Sequence, residues 1–257
     1  MTLLSGLLAT PSLARDFPRH GSTSSYSLAR VIFKAPARQE DLISTRGSAK
    51  RGGTGQCPVD PGNSDQTSSR KTVEQPLTAL VPIENLGLTM MARPTFWVYI
   101  PQTSSQTVEF LLEDRDGNEI YQTTSTLTSA AGVVSFTLPE TAPALEIGKD
   151  YRWVVYLSCK PASPQDPFVG AWVRRIPTDS ALMNTLRQKT PLARVATFAA
   201  AGIWHETLTN LVALKQAQPN NPTLARAWKD LLNSAGLEVL STAPLQKIND
   251  AGATQVK

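Results

Sequence analysis

Residues 145–159, LEIGKDYRWVVYLSC, decide the fold that the sequence predicts. Alternate positions of this stretch carry apolar or aromatic side chains: Tyr151, Trp153, Val155, Leu157 and Cys159. Because a β-strand points alternate side chains to the same face, all five would line one surface. That surface is too apolar to face water, so the stretch is predicted to be a strand buried in a core. Gly148 before the run and Pro161 after it set its limits.

Further strand-like runs, separated by turn residues, fill residues 76–177. They lie at 77–82, 94–101, 107–113, 119–127, 132–139 and 168–177. The 94–101 run is apolar on both faces, which predicts a central strand. Asp116-Gly117 predicts a tight hairpin, because glycine tolerates the positive φ that such a turn needs. About seven short strands with regular turn signals are typical of two packed antiparallel sheets.

The spacing Leu145-x-Ile147-Gly148-x-x-Tyr151-x-Trp153 resembles the tyrosine corner of immunoglobulin and fibronectin-type sandwiches. In that corner the tyrosine hydroxyl hydrogen-bonds the backbone a few residues upstream. Tyr151 and Trp153 are therefore predicted to be structural residues. The predicted fold class is α+β: an immunoglobulin- or fibronectin-like antiparallel β-sandwich followed by a small C-terminal helical segment.

The helical segment is predicted over residues 178–240, where apolar residues recur at three- and four-residue steps. Thr178 is expected to cap a helix over 180–189, and Pro191 to start a second. Gly202 separates the second helix from a third, and Pro222 starts a fourth. The stretch from Gly202 to Pro222 resembles half of a tetratricopeptide repeat. Only one such unit is visible, so a helical hairpin is expected rather than a peptide-binding array.

The two ends of the chain are predicted to lie outside the folded domain. Residues 1–14, MTLLSGLLATPSLA, combine a short apolar run with a small-residue cleavage pattern. They indicate a clipped signal peptide, although no basic region precedes the run; the alternative is a frayed terminus. Residues 15–75 are predicted to be a disordered basic linker and 241–257 a flexible tail.

Charge and hydropathy exclude two classes of partner. Residues 15–71 carry ten Lys and Arg against five Asp and Glu, a net charge of +5, whereas 72–257 carry fifteen against sixteen, a net charge of −1. A nucleic-acid-binding domain carries its basic patch on the folded part, so no nucleic acid is expected. No run of about 18 apolar residues exists, so no transmembrane span is expected.

The two cysteines, Cys57 and Cys159, are predicted to form one disulfide. An even count in an exported chain favours a bridge, and neither cysteine belongs to a C-x-x-C pair that would indicate zinc. Closing a loop of about 100 residues contributes roughly 4–5 kcal/mol in the chain-entropy model. The alternative is two free thiols in a cytosolic protein.

The sequence offers no cofactor, no metal site and no catalytic arrangement. His20 lies in the predicted linker, and His205, near the start of a helix, is expected to be a surface residue. Nucleophile-elbow and metalloprotease motifs are missing. A row formed by Trp97, Tyr99 and Trp172 could stack on sugar rings if exposed; otherwise these aromatic residues lie under the helices.

Several motifs together resemble an uncharacterised cyanobacterial family, the domain-of-unknown-function 928 proteins. The motifs are Cys57, Leu77-Thr78-Ala79-Leu80-Val81-Pro82, Leu86-Gly87-Leu88-Thr89, Pro94-Thr95-Phe96-Trp97, 145–153, Cys159, Gly202-Ile203-Trp204 and Trp228-x-x-Leu231-Leu232. The resemblance spans about residues 52–237. It implies export from a cyanobacterial-type cell, to the periplasm or outside, and brings no assigned activity.

The expected function is therefore that of a non-catalytic exported module of the cell envelope that binds another envelope or secreted protein. The alternative is a glycan-binding sandwich that uses Trp97, Tyr99 and Trp172. Solvent exposure of the three aromatic side chains distinguishes the two.

Overall fold

A computed structural model of the protein describes residues 30–36, 50–51, 75–82, 86–127, 130–159, 166–246 and 249–250. Within these residues the chain forms ten strands and four α-helices. The strands are β1 (Lys50–Arg51), β2 (Thr78–Ala79), β3 (Gly87–Thr89), β4 (Thr95–Ile100), β5 (Thr107–Asp114), β6 (Glu119–Thr126), β7 (Gly132–Thr137), β8 (Asp150–Ser158), β9 (Phe168–Arg175) and β10 (Asn249–Asp250). The helices are α1 (Ser180–Arg187), α2 (Pro191–Ala200), α3 (Trp204–Ala217) and α4 (Pro222–Ser234), and Glu238–Leu240 add a 3-10 turn.

The strands form two sheets. The larger has the order β1-β9-β8-β5-β6-β10, and β3 pairs in parallel with β9. The smaller has the order β2-β4-β7. As predicted, the Tyr151 stretch is a central strand: β8 pairs antiparallel with β5 on one side and with β9 on the other. The mixed α+β content that the sequence predicts is also present.

Side chains of both sheets form one apolar cluster. Phe96 on β4 of the small sheet lies 5.2 Å, ring centroid to ring centroid, from Phe110 on β5 and 5.3 Å from Trp153 on β8. Phe110 also stacks on Phe136 of β7 at 5.2 Å. Trp153 is fully buried. Because aromatic side chains bury the largest areas, these four rings dominate the contact between the sheets.

Strand β4 is buried on both faces, which explains its uninterrupted apolar sequence. Phe96, Val98 and Ile100 belong to the cluster shared with the large sheet. Trp97 points to the opposite side, into a second cluster with residues of α2, α3 and α4. Strand β4 therefore contacts the large sheet through one face and the helices through the other.

Three of the four helices, α1, α2 and α4, begin at a capping side chain or a proline. Asp179, and not the predicted Thr178, caps α1: its carboxylate accepts the backbone N–H groups of Ala181 and Leu182 at 2.8 and 3.2 Å. Pro191 and Pro222 open α2 and α4, as predicted. Asn221 caps α4 through the N–H groups of Thr223 and Leu224. Among the described residues, none of the helices has the length and hydropathy needed to cross a bilayer.

The prediction of disorder over 15–75 is wrong for two pieces of that segment. Residues 30–36 pack on the helices, where Val31 is fully buried and Phe33 is 6% exposed. Residues Lys50–Arg51 pair with β9. Residues 1–14, the predicted signal peptide, and the rest of 15–74 lie outside the described residues.

The prediction of a loose tail over 241–257 is also wrong for its first part. The N–H of Val133 donates to Pro244 O at 2.8 Å, and the N–H of Gln246 donates back to Val133 O at 2.8 Å. Farther on, β10 pairs with the end of β6. The tail thus contacts β7 of the small sheet and β6 of the large one, and it adds to both edges.

Candidate functional site

The predicted aromatic row does not exist. Trp97 is 7% exposed, and its indole N–H donates to Thr209 Oγ1 on α3 at 3.0 Å. Tyr99 packs, half-buried, against the same helix-side cluster. Trp172 lies on β9, in the other sheet. The prediction of an exposed row formed by Trp97, Tyr99 and Trp172 is therefore wrong, because the helices cover the β4 residues.

Trp172 instead belongs to the outer face of the large sheet, which is the face directed away from the shared cluster. This outer face consists of Glu109, Leu111, Glu113, Arg152, Val154, Tyr156, Phe168, Gly170 and Trp172. Leu111, Tyr156, Phe168 and Trp172 are all partly exposed there. The rings of Tyr156 and Phe168 are cross-strand neighbours, 5.4 Å apart between centroids.

Charged groups on and beside the outer face pair with one another. Arg152 Nη1 lies 3.2 Å from Glu113 Oε2. Arg174 contacts both carboxylate oxygens of Asp150, at 2.6 and 2.8 Å. Glu109 accepts a hydrogen bond from the amide of Gln122. Burial against these neighbours raises the pKa of the Tyr156 hydroxyl. The aromatic side chains therefore lie partly exposed on a face that carries two ion pairs, Arg152–Glu113 and Arg174–Asp150, and the carboxylate of Glu109, which is hydrogen-bonded to a neutral amide.

His205 lies in the first turn of α3 and is 3% exposed, so the predicted surface position is wrong. Its Nδ1 lies 3.0 Å from Thr95 O, which accepts the Nδ1 proton. The ring meets Phe96 edge-on at 5.3 Å. Burial lowers the pKa of the imidazole to about 4, so the ring is neutral at pH 7. Its Nε2 faces Gly87 and has no hydrogen-bond partner among the described residues.

Glu206 holds the link between β3 and β4. Its Oε1 accepts three hydrogen bonds, from Thr89 Oγ1 at 2.9 Å and from the backbone N–H groups of Met90 and Met91 at 2.7 and 3.0 Å. Burial raises the pKa of this carboxyl, and the three donors oppose that rise. Within the described part of the chain, no three His, Cys, Asp or Glu side chains are placed to hold a metal ion.

A groove on the helical layer holds residues 30–36. We define the groove by the residues that contact this segment: Ala199, Gly202, Trp204, Asp230 and Ser234. Phe33 packs edge-on against Trp204, with centroids 5.1 Å apart. The N–H of Phe33 donates to Ser234 Oγ at 2.9 Å, and the N–H of Lys34 donates to Ala199 O at 3.0 Å. Arg30 pairs with Asp230 at 3.3 Å.

The predicted structural residues occupy the core. The Tyr151 hydroxyl accepts a hydrogen bond from the N–H of Glu146 at 3.1 Å, across the turn at Gly148. Trp153 is fully buried, and Cys159 is 4% exposed at the end of β8. Cys57 lies outside the described residues, so the Cys57–Cys159 bridge stays a prediction.

Comparison with known protein families shows to which family the chain belongs. The model of the family described as Domain of Unknown Function (DUF928) matches residues 46–245. The chain belongs to this family. The DUF928 match covers strands β1 to β9 and all four helices, and residues 30–36 precede it. No curated protein matches the chain.

Sequence reasoning missed the groove and the buried His205-Glu206 pair of this DUF928 protein. Val31 and Phe33 are two apolar residues in a polar stretch, a signal too short to separate a docked segment from a scattered pair. His205-Glu206 follows Trp204 at a helix start, where polar residues are ordinary. Their burial depends on β3, itself a three-residue strand, and on the β4 residues Thr95 and Phe96, which contact His205.

Proposed function

We propose that this DUF928 protein is a non-catalytic, exported module that binds another protein at the cell envelope. The observation that carries the proposal is the outer face of the large sheet. This face carries three partly exposed aromatic side chains: Tyr156 on β8, and Phe168 and Trp172 on β9. Strand β8 pairs with β9 on one side and with β5 on the other. The strands fix the backbone positions of these residues, so binding would cost little backbone entropy.

The composition of the outer face favours a protein partner. The core of a protein interface is rich in aromatic residues and arginine and poor in unpaired charge. Here Arg152 is neutralised by Glu113, and Arg174 beside the face by Asp150. A partner with an apolar patch would cover the three rings while both arginines keep their carboxylate partners.

The non-catalytic part of the proposal rests on what the buried titratable groups do. Burial keeps His205 neutral at pH 7, and its Nδ1 is bound to Thr95 O. The Glu206 carboxylate is engaged by Thr89 and by the backbone of Met90 and Met91. Both side chains position α3 against β3 and β4, a structural role.

For the fold, we infer an immunoglobulin-like β-sandwich that carries a helical layer on its small sheet. The hydrogen bond from Glu146 N–H to the Tyr151 hydroxyl and the rings shared by both sheets support this inference. A periplasmic or secreted location is proposed from the apolar run in residues 1–14 and from the cysteine pair. Cell fractionation of the tagged full-length chain tests the location.

The binding proposal is tested on the full-length protein with envelope extracts of the source organism. The captured partner is purified and titrated against the wild type, the Trp172→Ser variant and the Val239→Ser variant. Val239 is a 57% exposed apolar residue on the 3-10 turn, outside the outer face, and serves as the matched control. We expect Trp172→Ser to weaken binding by about tenfold or more, as at an interface hot spot, and Val239→Ser to leave it unchanged. Equal affinities for all three proteins, or no saturable partner at micromolar concentration, would overturn the proposal.

A further inference from the structure

Residues 30–36 lie on the helical layer in the way that a bound peptide lies on a receptor. The segment forms neither helix nor strand, and its inward side chains alternate. Val31 and Phe33 are buried, whereas Arg30 and Lys34 are exposed. This alternation is that of an extended chain with one face on a surface.

The contacts combine main-chain recognition with side-chain selection. Ser234 Oγ and Ala199 O accept the N–H groups of consecutive residues, Phe33 and Lys34, which fixes the direction and register of the segment. Trp204 offers an aromatic wall to Phe33. Main-chain hydrogen bonds with pockets for alternate side chains are a recurring way to bind extended peptides.

Two further residues of the groove fit the segment. Asp230 faces the guanidinium of Arg30, with both carboxylate oxygens within 3.5 Å of it. At Gly202 a Cβ would lie 3.0 Å from both Lys34 O and the Pro36 ring. A glycine at this position therefore lets the backbone of the segment approach the turn between α2 and α3.

The position of the segment in the sequence separates it from the domain that it contacts. Residues of the groove lie within the 46–245 span that the DUF928 model matches, whereas residues 30–36 lie before it. Thirteen residues, 37–49, join the segment to β1. Thirteen residues can reach at most about 45 Å, so the length of this stretch does not prevent the segment from leaving the groove.

We propose that the groove is a binding site for an extended peptide of another protein with an Arg-apolar-x-aromatic pattern, and that residues 30–36 occupy it as a tethered competitor. This proposal goes beyond the one for the outer face, because it concerns a different surface. The pattern follows from the seated segment: a guanidinium for Asp230, a small apolar side chain for the helix-side cluster and an aromatic ring for Trp204.

The tether has a quantitative consequence. A competitor held by a short linker acts at an effective concentration on the order of millimolar. If segment and partner peptide bind with similar micromolar intrinsic affinity, the partner's apparent affinity for the intact chain falls by about a thousandfold. Release of the segment, by proteolysis or by a partner that binds the linker, would then open the site.

The test uses the full chain with a protease recognition sequence substituted within residues 37–49 and cut after folding. A fluorescein-labelled synthetic peptide of residues 28–37 is the probe, and fluorescence anisotropy is the readout. The matched controls are the same peptide with Phe33→Asp and the uncut chain. We expect saturable micromolar binding to the cut chain, at least about tenfold weaker binding of the control peptide, and about a hundredfold or greater loss on the uncut chain.

Three results would overturn the proposal. One is no saturable binding of the probe to the cut chain, and another is equal binding of the probe and the Phe33→Asp peptide. The third is loss of the helical circular dichroism signal when the cut fragment leaves, which would make the segment an integral part of the core. None of these results depends on Trp172, so the proposal for the groove and the proposal for the outer face are tested independently.

Discussion

At the scale of single residues, His205 and Gly87 fit each other's shape. A Cβ at Gly87 would lie 2.6 Å from His205 Nε2, closer than atoms in contact can come. The sequence could not predict this pair, because residues 87 and 205 lie in different elements and no periodicity relates them. Burial of a histidine depends on what covers it, here β3 and Phe96.

The Gly87→Ala variant should be less stable by about 1–3 kcal/mol, because the added methyl group overpacks the His205 ring. Urea unfolding at pH 7.5 measures the change. In a His205→Ala background the same substitution should cost much less, since the ring is gone. An equal cost in both backgrounds would show that the strain arises elsewhere.

Stability should also fall in mild acid because of His205. Burial lowers its pKa from 6.5 to about 4, so the folded chain binds this proton less well than the unfolded chain does. The stabilisation of the folded state by neutral His205 is complete above pH 6.5 and is lost as the pH falls towards 4. At about 1.4 kcal/mol per pH unit, the whole loss approaches about 3 kcal/mol.

The measurement is urea unfolding at pH 7.5, 6.0 and 5.0 for the wild type and for His205→Gln. Between pH 6.5 and 5, the free energy of unfolding should fall much less in the His205→Gln variant than in the wild type. Glu206 acts with the opposite sign: its pKa is raised by burial, so its contribution is present below pH 4.5 and lost as the pH rises. Parallel pH profiles for wild type and variant would exclude His205 as the source.

At the scale of elements, Glu206 joins α3 to the β3–β4 link. Glu206→Ala removes the acceptor of three hydrogen bonds and leaves the Met90 and Met91 N–H groups partly buried without that partner. We expect a loss of about 2–4 kcal/mol and faster hydrogen exchange at both amides. Glu206→Gln keeps an acceptor oxygen and should lose less. Unchanged exchange at Met90 and Met91 in Glu206→Ala would contradict the anchoring role.

Gly202 and Gly148 form a matched pair for the contact with residues 30–36. Both have positive φ, 73° and 82°, so alanine is strained at either. Only at Gly202 would the Cβ also press on Lys34 and Pro36; at Gly148 nothing lies within 4 Å. Gly202→Ala should therefore cost more than Gly148→Ala and expose residues 30–36 to limited proteolysis. Equal protease sensitivity of the two variants would contradict the contact.

Elements with a repeated pattern could be predicted from the sequence, and short ones could not. Strands β4 to β9 show alternation or dense apolar runs over six residues or more. Helices α2 and α4 begin at a proline, and α3 follows Gly202. Strand β3 has three residues, and β1 and β10 have two each. Such segments are specified by the strand edge or groove that receives them, which is a property of the folded chain.

At the scale of the whole molecule, the layer order explains why the candidate site was misplaced. Alternation along β4 predicts that Trp97 and Tyr99 share a face, and this is what the structure has. It does not indicate which layer that face meets. Because α3 covers it, the partly exposed aromatic residues are those on the far side of the large sheet.

The cysteines test whether one bridge holds distant parts of this molecule together. If Cys57 and Cys159 are joined, the loop between them spans about 100 residues, and opening it should cost roughly 4–5 kcal/mol. Under oxidising conditions Cys57→Ser, Cys159→Ser and the double variant should then lose similar free energies of unfolding, because each breaks the same bond. With free thiols, Cys57→Ser would have little effect, while Cys159→Ser would still place a hydroxyl at a position that is 4% exposed. Additive losses, or two thiols reacting with Ellman's reagent in the unfolded, unreduced protein, would exclude the bridge and weaken the proposal of export.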